Sequence, residues 1–132
     1  MPKEKTKTKS SRSIETNKDS KIFAELIAGA ALEKKAEEIK IFNLAGLTDI
    51  ADHFVIASGS SGLHVKAIAD HVREEADPSS KPWHVEGYEN LKWVLLDYVD
   101  VVMHIFDKDT RLYYDLERLW ADAEITTISD AE

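Results

Sequence analysis

The chain has 132 residues, no cysteine and a formal net charge of −8 at pH 7. This length accommodates one domain, and the lack of cysteine excludes disulfides, thiolate nucleophiles and cysteine-based zinc sites. The charge is split, because residues 1–21 carry seven basic and three acidic side chains whereas the remainder carries ten basic and 22 acidic ones. A domain at −12 repels phosphate backbones, so we expect no direct sequence-specific nucleic-acid binding and instead an attraction to basic proteins.

The two ends of the chain are predicted to be tails. Residues 1–19 form a basic segment without apolar periodicity, which predicts disorder. That segment has no apolar core of the secretory type, and the acids Glu4, Glu15 and Asp19 argue against an organelle transit peptide. The sequence contains no run of 18 apolar residues, so it predicts no membrane span. We therefore expect a cytoplasmic protein with no membrane partner, a folded domain over residues 20–122 and an acidic tail over residues 123–132.

The first half of the domain predicts two helices and two strands. The first helix is expected to begin near Asp19 or Ser20, which are good N-caps. Strands are predicted over residues 39–44 and 53–57, the second as a nearly continuous apolar run. A turn at residues 58–62 then leads into the second helix. The predicted buried stripes are Phe23, Leu26, Ile27, Ala30 and Ala31 on the first helix, and Val65, Ile68, Ala69, Val72 and Ala76 on the second.

The second half predicts three strands and one helix. An edge strand over residues 83–87 precedes two apolar strands over residues 93–98 and 100–106, joined by a tight hairpin at Val99 and Asp100. The last helix is expected to place Leu112, Tyr113, Leu116, Leu119 and Trp120 on one stripe. The order α-β-β-α-β-β-β-α predicts an α/β fold, a single-domain α-β-α sandwich with a mixed five-stranded sheet.

Gly59 and Ser60 lie at a strand-to-helix turn, where α/β proteins often bind phosphate. The same pattern begins many helices that bind nothing, with Ser60 or Ser61 acting only as the N-cap. Nucleotidyltransferases combine such a turn with two carboxylates one residue apart on the next strand, but the following segments offer only Glu86 and Asp97. Without a carboxylate pair to hold Mg²⁺, the sequence predicts no catalytic residue, metal site or cofactor.

The histidines do not converge on a metal site. His64 and His71 are seven residues apart on one helix, which separates them by about 10 Å along its axis. His104 lies within an apolar strand, where a histidine is typically a packed or contact residue. No metal ligand set follows from these positions.

Trp93 is the candidate for a macromolecular contact, although a core position is an equal alternative. Strand alternation places Trp93 and Leu95 on the same face of the sheet. An aromatic side chain ringed by acidic residues fits a hot spot for a basic protein. The predicted partner-binding residues are Trp93, Leu95, Met103 and His104.

Four ordered motifs resemble the ribosomal silencing factor family, also called Iojap-like. They are ADHFVIASGSS (residues 51–61), EG (86–87), WVLLDYVDVVMHIF (93–106) and RLYYDLERLW (111–120). The resemblance spans about 100 residues and excludes the basic N-terminal segment. It implies a fold similar to nucleotidyltransferases but without their catalytic carboxylates.

The resemblance also implies a function. Members of this family bind the fourteenth large-subunit ribosomal protein and sterically prevent the small and large subunits from joining, which represses translation under nutrient limitation. It further implies a homodimer, and it aligns the family's strand tryptophan and histidine with Trp93 and His104. Two positions depart from the family pattern: His53 replaces a usual tyrosine, and Val99 replaces a usual hairpin glycine.

Two other classes of function stay open from the sequence. The Gly59–Ser60 turn is compatible with a small nucleotide-binding or nucleotidyltransferase enzyme. A ribosome-assembly adaptor would use the same docking surface as a silencing factor, so the sequence does not distinguish the two.

Overall fold

Six strands form one mixed sheet in the computed structural model, which describes residues 2–76 and 80–129, with side chains from residue 18 onward. The strands are β1 (Glu37–Asn43), β2 (His53–Gly59), β3 (His84–Glu86), β4 (Trp93–Asp97), β5 (Val101–Asp107) and β6 (Glu124–Ile128). Their order is β3-β4-β5-β2-β1-β6, with β2 and β5 parallel and the other neighbours antiparallel. The predicted α/β class with a mixed sheet is confirmed, whereas the predicted count of five strands is wrong.

The extra strand lies in the segment predicted to be an acidic tail. Residues 124–128 read Glu-Ile-Thr-Thr-Ile, a β-branched run that pairs with β1 from Ile39 opposite Ile128 to Asn43 opposite Glu124. β-branched side chains favour a pleated, half-exposed edge position. The fold therefore continues beyond the predicted domain end at residue 122.

The helices are α1 (Pro2–Glu33), α2 (Gly62–Glu75), α3 (Lys108–Tyr114) and α4 (Leu116–Leu119). The backbone of α1 is helical from Pro2, well before the predicted start at Asp19 or Ser20 and through the segment predicted to be disordered. No glycine or proline interrupts the chain between Pro2 and Gly29, and proline is well suited to the first position of a helix. Among the described residues, no helix combines the length and apolar character needed to cross a membrane.

Helices α1 and α2 cover one face of the sheet, which we call the helix-covered face. The apolar stripe of α2 is buried as predicted. On α1 the stripe is rotated, because Leu26 is exposed while Ala24 and Ala28 are fully buried. The strand residues beneath the helices are Ile39, Ile41, Val55, Ala57, Val94, Leu96, Val101, Met103 and Ile105.

The opposite face, which we call the aromatic face, has much less cover. Its core comprises Phe42, Leu44, Ala51, Phe54, Ile56, Val102 and Phe106. Leu116 and Trp120 pack on this core, and Trp93 and Leu95 extend it toward β3 in half-buried positions. A full helical layer on this side, as the predicted α-β-α sandwich requires, is not formed by α3 and α4.

The predicted single C-terminal helix is divided at Asp115. This residue has φ 48°, a left-handed conformation that ends α3 and leaves α4 with only four residues. Aspartate tolerates this conformation better than most residues. The break separates the predicted stripe, because Leu116 and Trp120 pack on the sheet while Leu112, Tyr113 and Leu119 are exposed.

The β4–β5 hairpin has the two-residue loop predicted at Val99 and Asp100. The Tyr98 amide donates to the Val101 carbonyl at 2.8 Å, and the Asp100 amide donates to the Tyr98 carbonyl at 3.0 Å. Val99 therefore occupies the centre of a tight turn with φ 76°, a conformation that strains a β-branched residue. Its amide donates to Asp97 Oδ1 at 2.8 Å, which helps to hold the turn.

Candidate functional site: an aromatic docking surface

The turn before α2 uses its polar groups internally. The Ser60 amide donates to His64 Nδ1 at 2.8 Å, and Ser61 Oγ accepts the His64 amide at 3.1 Å as the N-cap of α2. A Cβ on Gly59 would lie 3.0 Å from the Val65 side chain, so this glycine allows the helix to approach the strand. The groups that would bind a phosphate at this turn are thus engaged in capping and packing.

An internal ion pair lies beside the same turn. Arg111 is 6 % exposed, donates to Ser58 Oγ at 2.7 Å and forms two hydrogen bonds with Glu117, at 3.2 and 3.0 Å. The bond to Arg111 is the main cause that lowers the pKa of Glu117. This bidentate pair ties α3 to α4 across Asp115 and leaves the guanidinium neutralised.

The two histidines of α2 form contacts with the C-terminal end of α1 and the residue after it. His64 Nε2 donates to the Lys34 carbonyl at 2.8 Å, and His71 Nε2 lies 2.7 Å from Glu33 Oε1. Within the part of the chain that the structure describes, no group of three or more histidine, cysteine, aspartate or glutamate side chains is arranged to hold a metal ion.

His53 is 1 % exposed at the start of β2. Its Nδ1 lies 3.1 Å from Ser20 Oγ, and the same hydroxyl donates to Asp52 Oδ2 at 3.3 Å. Burial lowers the pKa of His53. The arrangement joins α1 to the sheet by hydrogen bonds at the end remote from α3.

The four predicted partner-binding residues do not lie on one face. Trp93, Leu95 and His104 belong to the aromatic face, with Leu95 paired opposite His104. Met103 pairs opposite Leu96 and is fully buried on the helix-covered face. The prediction of Met103 as a contact residue is therefore wrong, because strand alternation points its side chain beneath the helices.

Trp93 is held in place by its neighbours and is neither fully exposed nor fully buried. Its indole Nε1 donates to His104 Nδ1 at 3.1 Å, and its ring centroid lies 4.8 Å from those of Phe106 and Tyr114. His104 is 4 % exposed, and burial lowers its pKa to about 3, so the ring is neutral at pH 7. The structure thus places His104 beneath Trp93, as a residue that orients the indole.

A group of exposed apolar side chains adjoins Trp93, whereas the sequence pattern predicted that part of it would be buried. We call it the aromatic patch, and its members are Leu112, Tyr113, Tyr114 and Leu119, which are 77, 80, 52 and 69 % exposed. Contiguous exposed apolar surface on a small domain marks an interaction site more often than isolated residues do. The signal in the sequence was Asp115, whose capacity to end a helix separates the patch from the packed residues Leu116 and Trp120.

A depression of about 530 Å³ lies between Trp93 and the aromatic patch. We call it the anchor pocket, and its lining includes Lys92, Trp93, Asp109, Tyr113 and Tyr114. The loop that forms its other side depends on Gly87, which has φ 96°; a Cβ there would lie 1.9 Å from the Trp93 carbonyl oxygen. Only glycine allows this loop to pass so close to β4.

Comparisons with known proteins agree with this fold. The sequence model of the family described as "Ribosomal silencing factor during starvation" matches residues 17–132. The chain is 44 % identical over 100 residues to a ribosomal silencing factor from Halalkalibacterium halodurans, covering 75 % of this chain and 86 % of that protein. It is 38 % identical over 109 residues to the one from Bacillus subtilis, covering 82 % and 92 %.

A solved structure extends the similarity to three dimensions. The crystal structure of a Chromobacterium violaceum protein superposes with a TM-score of 0.74 at 29 % sequence identity, covering 85 % of this chain and 95 % of that one. The family match spans both faces of the sheet, α3 and α4, and β6, and it begins inside α1. The chain therefore belongs to the ribosomal silencing factor family.

Proposed function

We propose that the protein is a non-catalytic ribosomal silencing factor that acts in the cytoplasm. In this proposal it binds the large ribosomal subunit through its fourteenth ribosomal protein. The bound domain then sterically blocks the small subunit from joining, and translation is repressed under nutrient limitation. Family membership supports the ribosomal association, and the resemblance described above supplies the partner.

The observation that carries the proposal is the aromatic patch on an acidic surface. Residues 83–124, which build the patch and its surroundings, contain ten acidic and four basic residues, a net −6. Exposed aromatic and leucine side chains provide apolar contact area, and the surrounding acids favour encounter with a basic protein. Trp93 and Leu95 extend this surface onto the sheet, with His104 supporting Trp93 from below.

The test mixes purified large and small subunits with the protein and separates them by sedimentation. We expect saturating protein to reduce the formation of whole ribosomes and to sediment with the large subunit. Undiminished formation of whole ribosomes would contradict the proposal. Co-sedimentation without any block of joining would instead favour an assembly adaptor.

A matched pair of variants locates the docking surface. Leu119→Ser removes a patch residue that is 69 % exposed, whereas Ile22→Ser removes an α1 residue that is 65 % exposed on the other side of the domain. We expect Leu119→Ser to weaken large-subunit binding roughly tenfold and Ile22→Ser to leave it unchanged. Equal losses from both variants would mean that the patch is not the specific contact.

The nucleotide-enzyme alternative has its own test, calorimetry with Mg²⁺ and millimolar nucleotide. The engagement of the Ser60 amide by His64 and of Arg111 by Glu117 supports an expectation of no heat of binding. Binding that is lost in Ser60→Ala would favour the enzyme instead. The implied homodimer stays a prediction, which light scattering of the free protein measures.

A further inference from the structure

The anchor pocket has an aromatic wall of defined geometry. The Tyr114 ring lies 4.8 Å from Trp93 at an interplanar angle of 50°, and the Tyr113 ring lies 5.0 Å from Tyr114 at 88°. The faces of electron-rich rings attract cations and planar cationic groups. Since the Trp93 N–H is already donated to His104, this indole offers its ring to a ligand and no hydrogen-bond donor.

A carboxylate stands on the same pocket. Asp109 is in the first turn of α3, is exposed, and forms no ion pair with any residue that the structure describes. Lys92 also lines the pocket, but it is exposed and forms no ion pair with Asp109. The surrounding segment is strongly acidic, which favours a cationic ligand over an anionic one.

The protein already holds one of its own guanidinium groups over a tyrosine ring. The Arg73 guanidinium carbon lies 5.4 Å from the centre of the Tyr88 ring, and the Tyr88 hydroxyl donates to Asp70 Oδ1 at 2.9 Å. Asp70 also accepts from Lys66 Nζ at 2.8 Å, while the arginine lies over the ring. The residues that line the anchor pocket include tyrosine rings and a carboxylate but no arginine.

We propose that the anchor pocket receives an arginine side chain from a basic partner protein. The guanidinium stacks on the tyrosine and tryptophan rings while Asp109 accepts its N–H groups. Arginine fits better than lysine, because its planar, weakly hydrated group both stacks on rings and forms paired hydrogen bonds with a carboxylate. This inference rests on the proposed function, since it describes how the docking surface recognises the ribosomal protein.

The first experiment requires no ribosome. Nuclear magnetic resonance follows the Trp93 indole N–H, identified with Trp93→Phe, during titration with millimolar ethylguanidinium chloride. Ethylammonium chloride and p-cresol are the comparison probes. We expect ethylguanidinium to shift this resonance at lower concentration than either other probe. A larger response to p-cresol, or no response to ethylguanidinium, would overturn the proposal.

The carboxylate is tested with two variants of equal charge change. Asp109→Asn removes the pocket acid, whereas Asp49→Asn removes an exposed acid in the β1–β2 loop, at the other end of the strands. Both sites are exposed, so neither change should affect folding, which the amide spectrum verifies. We expect Asp109→Asn to abolish the preference for ethylguanidinium over p-cresol and Asp49→Asn to keep it. Equal behaviour of the two variants would overturn the role of Asp109.

The second experiment uses the large ribosomal subunit. We expect Asp109→Asn to weaken binding roughly tenfold and Asp49→Asn to have little effect. Asp109→Arg should abolish binding, and a glutamate replacing one arginine on the partner protein should restore it. If the protein binds the subunit and Asp109→Asn changes nothing, this inference fails while the proposed function stands. Ethylguanidinium binding without subunit binding would contradict the proposed function while the guanidinium preference of the pocket stands.

Discussion

The two faces of the sheet receive very different cover. The helix-covered face is closed by α1 and α2, and its strand residues from Ile39 to Ile105 are at most 4 % exposed. On the aromatic face Leu116, Trp120 and Ala123 pack on the core, while Trp93 and Leu95 are half-buried beside an exposed patch. Adjacent residues on the same strand thus belong to a sealed core and to an open surface. We infer that burial on the first face contributes most of the stability, whereas the second face carries the docking surface proposed above.

The largest expected effect on stability comes from a residue on the helix-covered face. Met103→Ala should lower the free energy of unfolding by about 3 kcal/mol, because it removes a fully buried side chain and leaves a cavity beneath the helices. Leu95→Ala is the matched comparison, on the neighbouring strand but on the aromatic face. It should lower the free energy of unfolding by about 1 kcal/mol. Urea denaturation measures both. Equal costs would break the distinction between the two faces.

Acid should destabilise the folded protein through His104, which lies on the aromatic face. Burial lowers the pKa of His104 to about 3, so the folded protein resists protonation, whereas the unfolded ring accepts a proton below about pH 6.5. Stability is therefore lost as the pH falls, by about 2 kcal/mol between pH 7 and pH 5. Burial lowers the pKa of His53 too, which adds a loss of the same sign.

Urea denaturation at pH 7 and at pH 5 tests this dependence. His104→Gln retains an acceptor for the Trp93 indole and does not titrate, so most of the loss between the two pH values should disappear. His84→Gln changes an exposed histidine on β3 and serves as the control, with the loss unchanged. A His104→Gln variant with the same loss would refute the assignment to this residue.

The protein should become more stable when Val99, in the turn of the β4–β5 hairpin, is replaced by glycine. Val99 has φ 76° and is 57 % exposed, so Val99→Gly relieves backbone strain while removing little buried surface. The strain of a non-glycine residue in this region exceeds the entropic cost of glycine, and we expect a gain of about 1 kcal/mol. Thermal unfolding measures it. A decrease in the melting temperature would show that packing of the valine side chain stabilises the protein by more than the backbone strain costs.

The smallest effect should come from the N-terminal segment, residues 1–18. Residues 2–17 include only Pro2 and Ile14 as apolar side chains, so this length of helix has no stripe to bury. Removal of residues 1–18 should change the free energy of unfolding by less than about 0.5 kcal/mol. Its effect on large-subunit binding should be small and sensitive to salt. A large loss of binding at physiological salt would instead make this segment a specific contact.

The sequence was sufficient for most elements because their patterns are local. The apolar runs of β2, β4 and β5 and the stripe of α2 lie close to their predicted positions, and Ser61 caps α2 as one of the two residues proposed for that role. The errors lie where a single backbone conformation decides the outcome. The left-handed Asp115 divides the last helix, and the periodicity of Leu112 to Trp120 does not indicate that break; only the type of residue at position 115 does.

Two other errors had signals that were available. The two-residue loop at Val99 and Asp100 already implies that Leu96 faces Met103, which places Met103 with the buried side chains of both strands. The run of Ile125 to Ile128 has clear β-branched character, but its acidic flanks suggested a tail. The anchor pocket, by contrast, depends on residues from β4 and α3 meeting in space, and no local pattern predicts that meeting.

The pairing of β6 with β1 has a consequence for how the protein is made. The paired residues are separated by 81 to 89 positions along the chain, so β6 is synthesised long after β1 and after the other described strands. During translation β1 therefore keeps an unpaired edge until residues 124–128 have emerged from the exit tunnel. Domains commonly begin to fold from the N-terminus while synthesis continues, and exposed strand edges promote aggregation in that interval. The strand that closes this edge of the sheet can therefore pair only after the five strands before it have been synthesised.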